Sequence, residues 1–286
     1  FTENWQEDVG FIELWNSINK QTSYSLDFDS DDLINKVVEL IIDYPEIQKQ
    51  NIYLEKARLQ FDAEGINTRS IQSQMRVGSI KNNKVLDIVG LLQNDFELSR
   101  KTLIEIILKS NRTRDLLKNP SAFLSMMRKC IIQIFDELKI NGLMYTSNNE
   151  QKYELSLFDE DQMVFEDRSI ETPNKTISDR AEWDSNIERE HIEDYLNYEN
   201  VNYFLRLPRS SGVETPIGPY YPDFAISYKN EKERIILIKE TKNTDDTQQI
   251  RPSEKYKISA GGKHFEAIGV SFDWGKNSIP RFESGK

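Results

Sequence analysis

The sequence predicts an α/β protein built around a central mixed sheet flanked by helices, and three observations predict it. Residues 183–286 read helix, three strands, helix: "SNIEREHIEDYL" (185–196) has helical apolar spacing, "VNYFLRLP", "YPDFAISYK" and "RIILIKETK" read as strands, and "RPSEKYKIS" with "GKHFEAI" returns to helix. The first 85 residues interleave helix and strand signals. From there to about residue 140 the apolar spacing is helical. The chain therefore divides into a mixed α+β region with a helical segment (1–145), a polar linker (146–182) and an α/β unit (183–286).

In order, "EDVGFIELWNSINK" predicts a helix and "TSYSLDF" a strand. "SDDLINKVVELIID" predicts a helix with Ser30 as N-cap and two acids in its first turn. "NIYLEKARLQF" and "RSIQSQMRV" predict two strands. "VLDIVGLLQNDF", "SRKTLIEIILKS" and "NPSAFLSMMRKCIIQIFDELK" predict three helices. The last opens on Asn119-Pro120, a cap followed by proline at the first helical position, and ends at Asn141-Gly142. Within the linker, "KYELSLF" is a possible strand. Ser185 is the expected N-cap of the helix 185–196.

Composition narrows the function classes. The chain has 286 residues, 37% of them hydrophobic and 10% aromatic, enough for real cores. No apolar run approaches the ~18 residues a membrane span needs, and no signal-peptide pattern is present. One cysteine, Cys130, rules out an internal disulfide and sits among apolar helix positions, so a buried inert thiol in a cytoplasmic protein is expected. The first residue is Phe, which suggests a piece of a longer protein. The net charge of −11 is unevenly spread: residues 151–200 hold 15 acids and 5 bases, whereas 201–286 hold 11 acids and 14 bases. The acidic surplus thus lies beside the strand-rich segment, not in it, and whole-chain charge says little about what one face binds.

The hairpin over 220–242 concentrates the chemistry. Its turn is centred near Glu231 in "KNEKE", which places Asp223 opposite residue 239, within one register step, and so beside Glu240. Glu240 and Lys242 share a strand face and Thr241 points away. Two acids and a lysine converge at the open end of an apolar strand pair, a set of hard oxygens that suits a divalent cation such as Mg²⁺. On the helix 185–196, Ile187, His191, Ile192, Tyr195 and Leu196 mark one face, and Glu188 falls near its middle. An inward carboxylate is costly unless it is paired with a base or bound to a cation, and spacing leaves both open.

An inward Glu on a helix, Pro-Asp on a strand and Glu-x-Lys on the next resembles the PD-(D/E)xK nucleases. The longer text "WDSNIERE", "LRLP", "TPIGPYYPDFAI", "IKETK" and "RPSEKYKI…GGKHFEAI" resembles the C-terminal endonuclease domain of the restriction (Res) subunit of type III restriction enzymes. "IELWNSINKQTSYSLDFDSDDLI" and "ELSRKTLIEIILKSNRTRDLLKNPSAF" resemble the region of that subunit between helicase motor and nuclease. The likeness departs at Tyr221 (usually Asn), Phe224 (Trp), Asn243 (Gly) and His191 (commonly Phe), none of them a proposed ligand. It implies a restriction-endonuclease-like fold for 183–286 and a coupling region over 1–145. It also implies a type III site-specific deoxyribonuclease activity on double-stranded DNA, with a methyltransferase (Mod) subunit and the motor of the same subunit as partners. Asp223, Glu240 and the Thr241 backbone carbonyl would hold Mg²⁺, Lys242 would orient the attacking water, and Glu188 would support a second metal ion or a water beside it. ATP belongs to the motor, since no G-x-x-x-x-G-K-[ST] is present and "SAGGKH" fails that pattern at Lys257 and His264. Lys263, His264, Arg251 and Lys257 are candidate DNA contacts, with a surface Lys and a half-buried His as the plainer reading. The competing function is a non-catalytic scaffold that links motor to methyltransferase and only binds DNA.

Overall fold

The computed structural model describes residues 1–49, 53–62, 65–76, 87–158, 165–172, 174–229 and 234–278; the side chains of 53–76 and 149–150 lie outside the description. The fold is mixed α/β, with eight α-helices among the described residues. Contacts divide the chain into two units, Asp29–Phe135 and a second made of Phe1–Phe28 with Asp136–Lys286. These bounds differ from the sequence division: the first helix and strand belong with the C-terminal residues, not with 29–135.

The unit Asp29–Phe135 holds α2 (Ser30–Asp43), β2 (Tyr53–Asp62), β3 (Gly65–Arg76), α3 (Ile88–Phe96), α4 (Arg100–Lys109), α5 (Thr113–Lys118) and most of α6 (Pro120–Asn141). β2 and β3 pair as an antiparallel hairpin. The N-cap of α2 is Asp29, not Ser30: Asp29 is extended and its carboxylate accepts the Asp31 amide, while Ser30 is already helical. Asn119 caps α6 as expected, its side-chain oxygen accepting the Ala122 amide. Leu33, Val37, Ile41, Leu92, Leu103, Ile106, Met126 and Ile131 are buried. The Arg112 guanidinium donates to the carbonyls of Ile41, Tyr44 and Pro45 and pairs with Asp115, which satisfies the end of α2. Cys130 is buried, and burial raises its thiol pKa, which keeps it in the unreactive form.

The other unit holds α1 (Val9–Ile18), β1 (Lys20–Leu26), β4 (Leu143–Lys152), β5 (Ser169–Glu171), β6 (Arg180–Glu182), α7 (Asn186–Asn197), β7 (Val201–Arg206), β8 (Phe224–Lys229), β9 (Arg234–Thr241), α8 (Pro252–Ala267) and β10 (Ser271–Gly275). The main sheet has the order β10-β9-β8-β7, antiparallel except for the parallel pair β9–β10 that α8 connects. β1 pairs with β4, from Leu26 opposite Leu143 to Lys20 opposite Lys152. Gly142 makes this possible, because a Cβ there would collide with the Asp27 carbonyl. The stretch 146–182 is therefore not a plain linker: it completes β4, forms the β5–β6 pair and buries Phe158. "KYELSLF" gives a 3-10 turn at Leu155–Phe158 in place of a strand.

Alternation along the main sheet builds two cores. Phe204, Phe224, Ile226 and Leu237 face Ile192 and Tyr195 of α7. Leu205, Ala225 and Ile238 face Phe11, Leu14 and Trp15 of α1 and Ile258 and Phe265 of α8. Lys239 is fully buried and donates to Asp273 Oδ2 at 2.6 Å, an ion pair directly across the β9–β10 ladder. The register Phe224↔Lys239 and Lys229↔Arg234 agrees with the expected hairpin, whose turn residues 230–233 lie outside the described residues.

Candidate active site

Extending the β8–β9 ladder one step beyond Phe224↔Lys239 sets Asp223 opposite Glu240. Asp223 lies in a bend just before β8, and its carbonyl accepts the Leu207 amide at 2.9 Å, which ties it to the end of β7. Released from the pleat, its carboxylate swings to the next strand. Oδ2 accepts both the Thr241 amide and the Thr241 hydroxyl, each at 2.7 Å. The Thr241 side chain, expected to point away from Glu240 and Lys242, meets the carboxylate of Asp223, which has just left the ladder. Among the described residues no hydrogen bond reaches Asp223 Oδ1.

Glu240 and Lys242 emerge on the face that α8 covers. Glu240 Oε2 accepts the Tyr220 hydroxyl at 2.7 Å, and Oε1 pairs with Lys242 Nζ at 2.9 Å. Lys242 Nζ also meets Glu254 Oε1, from the first turn of α8, at 2.6 Å. Tyr220 is fixed by a β-bridge to Val213 and by a turn at Gly218, whose positive φ of 97° suits glycine. Its ring lies against α8 at Gly261, where a Cβ would strike it.

The electrostatics match this crowding. Burial first, then the like charge of Asp223, pushes the Glu240 carboxyl up to about 7, although Lys242 and the Tyr220 hydroxyl favour its ionised form. Burial pulls the Lys242 ammonium down, but Glu240 and Glu254 outweigh it and hold its pKa above the ordinary lysine value. Burial raises the hydroxyl pKa of Tyr220 well above normal, and the charges of Glu240 and Asp223 add to it. The charge of Asp223 also adds to the burial-driven rise at Tyr195 of α7. Two carboxylates that repel in a half-dry corner, with one oxygen unclaimed, are a donor set that fits a hard divalent cation.

The other candidates fall elsewhere. Glu188 sits on α7, which covers the opposite face of the sheet from α8. Its side chain is only 12% exposed, but its oxygens are taken: Oε1 by the Ser185 hydroxyl, Oε2 by the Asp184 amide and by Arg206 at 3.4 Å. This is a variant of the capping box in which Glu188 takes the Asp184 amide and the Ser185 hydroxyl, and S-x-x-E at 185–188 was its signal in the sequence. No group of three or more His, Cys, Asp or Glu among the described residues is arranged to hold a metal ion. Lys263 Nζ caps α6 through the carbonyls of Ile140, Asn141 and Leu143. His264 is buried, bonded through Nδ1 to the Thr22 hydroxyl, and burial pushes its pKa down to about 4. Lys257 donates to the Pro219 carbonyl and so braces the turn before Tyr220. Arg251 is exposed at the N-terminus of α8. His191 is buried against the Lys276 carbonyl. Sequence reasoning missed Glu254; an acid in the first helical turn, two residues past Pro252, was the available signal.

Comparison with known proteins bears on this segment through a family model. Residues 174–278 match the sequence model of a family described as an endonuclease domain. Over 112 residues the chain is 31% identical to the Res subunit of the type III restriction-modification enzyme EcoPI of Escherichia phage P1, covering 38% of this chain and 11% of that protein. No solved structure matches. The chain therefore carries an endonuclease domain over residues 174–278, distantly similar to a type III restriction subunit, and Asp223, Glu240 and Lys242 lie inside it.

Proposed function

We propose that this chain hydrolyses phosphodiester bonds of double-stranded DNA with Mg²⁺, as the nuclease part of a type III restriction enzyme in the cytoplasm. The observation that carries the reading is the meeting of Asp223, Glu240 and Lys242 at one end of the β8–β9 hairpin. Asp223 Oδ1, Glu240 and the Thr241 carbonyl would hold the metal, with Thr241 fixing Asp223 and Tyr220 fixing Glu240. Bound Mg²⁺ would supply Lewis-acid polarisation of the scissile phosphate and a more acidic water. Lys242 orients the attacking water and offsets the charge that builds on the phosphoryl oxygens, since positioning and charge stabilisation dominate this chemistry. Glu188 is left a supporting part from α7, through Arg206. The likeness to a Res subunit extends the reading to a methyltransferase subunit that reads the DNA and an ATP-driven motor in the same polypeptide.

The test is Asp223→Ala in the full-length protein assembled with its partners. Cleavage of unmodified plasmid falls below detection, while DNA binding and ATP hydrolysis keep their parent values. Retained cutting would overturn the site, and loss of ATPase in a folded variant would contradict the separation of motor from nuclease.

A further inference from the structure

We infer that Glu254, on the first turn of α8, is a positioning residue that keeps the Lys242 ammonium at the hairpin end when Glu240 turns its charge to a divalent cation. The inference rests on the nuclease reading above and deepens it. Both Glu240 oxygens are engaged, Oε2 by Tyr220 and Oε1 by Lys242. A cation arriving at Glu240 and Asp223 competes with Lys242 for the same carboxylate and repels it. Lysine carries a strongly hydrated point charge on a flexible stem, so an ammonium that loses its only counter-ion swings out to water. Lys242 has a second one. Glu254 Oε1 is the nearer of its two partners, at 2.6 Å against 2.9 Å, and it belongs to another element.

Glu254 is suited to this by where it stands. A glutamate three residues past an N-cap commonly reaches back to the cap; here the cap is Arg251, which makes no side-chain cap bond, and the Glu254 carboxylate goes to Lys242 instead. The start of a helix also favours a negative charge. The helix beneath it is anchored, with Ile258, Ala260 and Phe265 buried, Lys257 bonded to the Pro219 carbonyl and Gly261 against the Tyr220 ring. The Glu254 side chain is 43% exposed, and among the described residues no hydrogen bond or ion pair joins it to Asp223.

The experiment uses the full-length protein with its partner subunits, saturating ATP and single-turnover cleavage of plasmid, titrated separately with DNA and Mg²⁺. Glu254→Gln is expected to slow cleavage roughly tenfold, in the range that coupled neighbours show. The DNA and Mg²⁺ half-saturation points stay within about twofold of the parent, since the inference gives the residue a role through Lys242 and no contact with either. Glu254→Asp, which keeps the charge, restores most of the rate; a purely structural role would instead follow the melting temperature of the variants. A cleavage rate for Glu254→Gln equal to the parent's overturns the inference, as does a shifted Mg²⁺ half-saturation, which would make Glu254 a metal ligand. Asp223→Ala, run in parallel, separates the two levels. An inactive Asp223→Ala beside a fully active Glu254→Gln removes only the role of Glu254, whereas an active Asp223→Ala removes the nuclease site and this inference with it.

Discussion

Glu240 is where the site's demands conflict. Its carboxyl is buried beside Asp223 and titrates at about 7, against 4.5 for a free glutamate. A carboxylate raised in this way binds a proton in the folded state that the unfolded chain has already lost. Stability of the metal-free protein therefore falls as pH rises from about 4.5 to about 7, by up to about 3 kcal/mol from this group, and the loss is complete above that window. Glu240→Gln removes the titration. Urea unfolding should show the variant gaining on the parent between pH 5 and pH 8; parallel curves would mean that Glu240 titrates normally. Mg²⁺ should stabilise the parent at pH 8 and not the variant, because binding to the folded state alone raises stability by mass action. Tyr220 contributes from the other side. Tyr220→Phe removes a buried hydrogen bond to a charged group, at a cost of roughly 1.5–3 kcal/mol at pH 8. The cost should shrink at pH 5, where Glu240 is neutral. Equal costs at both pH values would mean that the bond does not depend on the charge.

Among the elements, α8 decides the site's shape, because Gly261 lets the Tyr220 ring lie directly against the helix. Alanine normally favours a helix interior over glycine by about 1 kcal/mol. At 261 the added methyl meets a ring that the Val213 bridge and the Glu240 bond hold in place, so overpacking of roughly 1–3 kcal/mol should win. Gly261→Ala should lower the melting temperature and weaken Mg²⁺ binding, and combining it with Tyr220→Phe should cost less than the sum. At Gly262 a Cβ would sit 3.2 Å from the Phe272 ring, a contact a small shift relieves, so Gly262→Ala is the control. Additive effects of Gly261→Ala and Tyr220→Phe would show that the two act independently. The same hairpin shows what the sequence could carry. β8 and β9 were legible because their apolar runs are bounded by turn residues, and a turn near Glu231 fixed the register within one step. Glu188 was legible as inward from the helical wheel, which gives a direction and not a partner; the partner was written in S-x-x-E at 185–188, where Ser185 is the N-cap. β10, with only "SFDWG", and β4 gave no strand pattern; parallel pairing to β9 and long-range pairing to β1 make them strands. Lys239 is buried beside Asp273, a pairing that no spacing in the sequence announces, because the partner lies 34 residues on in a parallel strand.

At the scale of the whole chain, charge argues that the proposed nuclease would have to borrow its grip on DNA. Protein–DNA affinity comes largely from lysines and arginines that release counterions from phosphates. Residues 201–286 hold only three more bases than acids, and residues 151–200 hold ten more acids than bases. Several of the bases are already spent within the chain: Lys239 on Asp273, Lys242 on two glutamates, Lys263 and Lys257 on backbone carbonyls, and Arg206 on Asp184 and Glu188. A duplex approaching this chain alone meets net repulsion, strongest at low salt where screening is weakest. A partner that already holds the DNA removes that barrier by raising the duplex's effective concentration at the hairpin end. Under the proposed function, the 286-residue chain by itself is expected to cut plasmid weakly or not at all with Mg²⁺, at concentrations where the proposed assembly with motor and methyltransferase cuts to completion. Tethering the chain to an unrelated sequence-neutral DNA-binding domain should raise its cutting by roughly 10²-fold or more without any change in the site. That gain must vanish in the tethered Asp223→Ala protein. Efficient cutting by the untethered chain would refute borrowed affinity, because the exposed bases of 201–286 would then suffice.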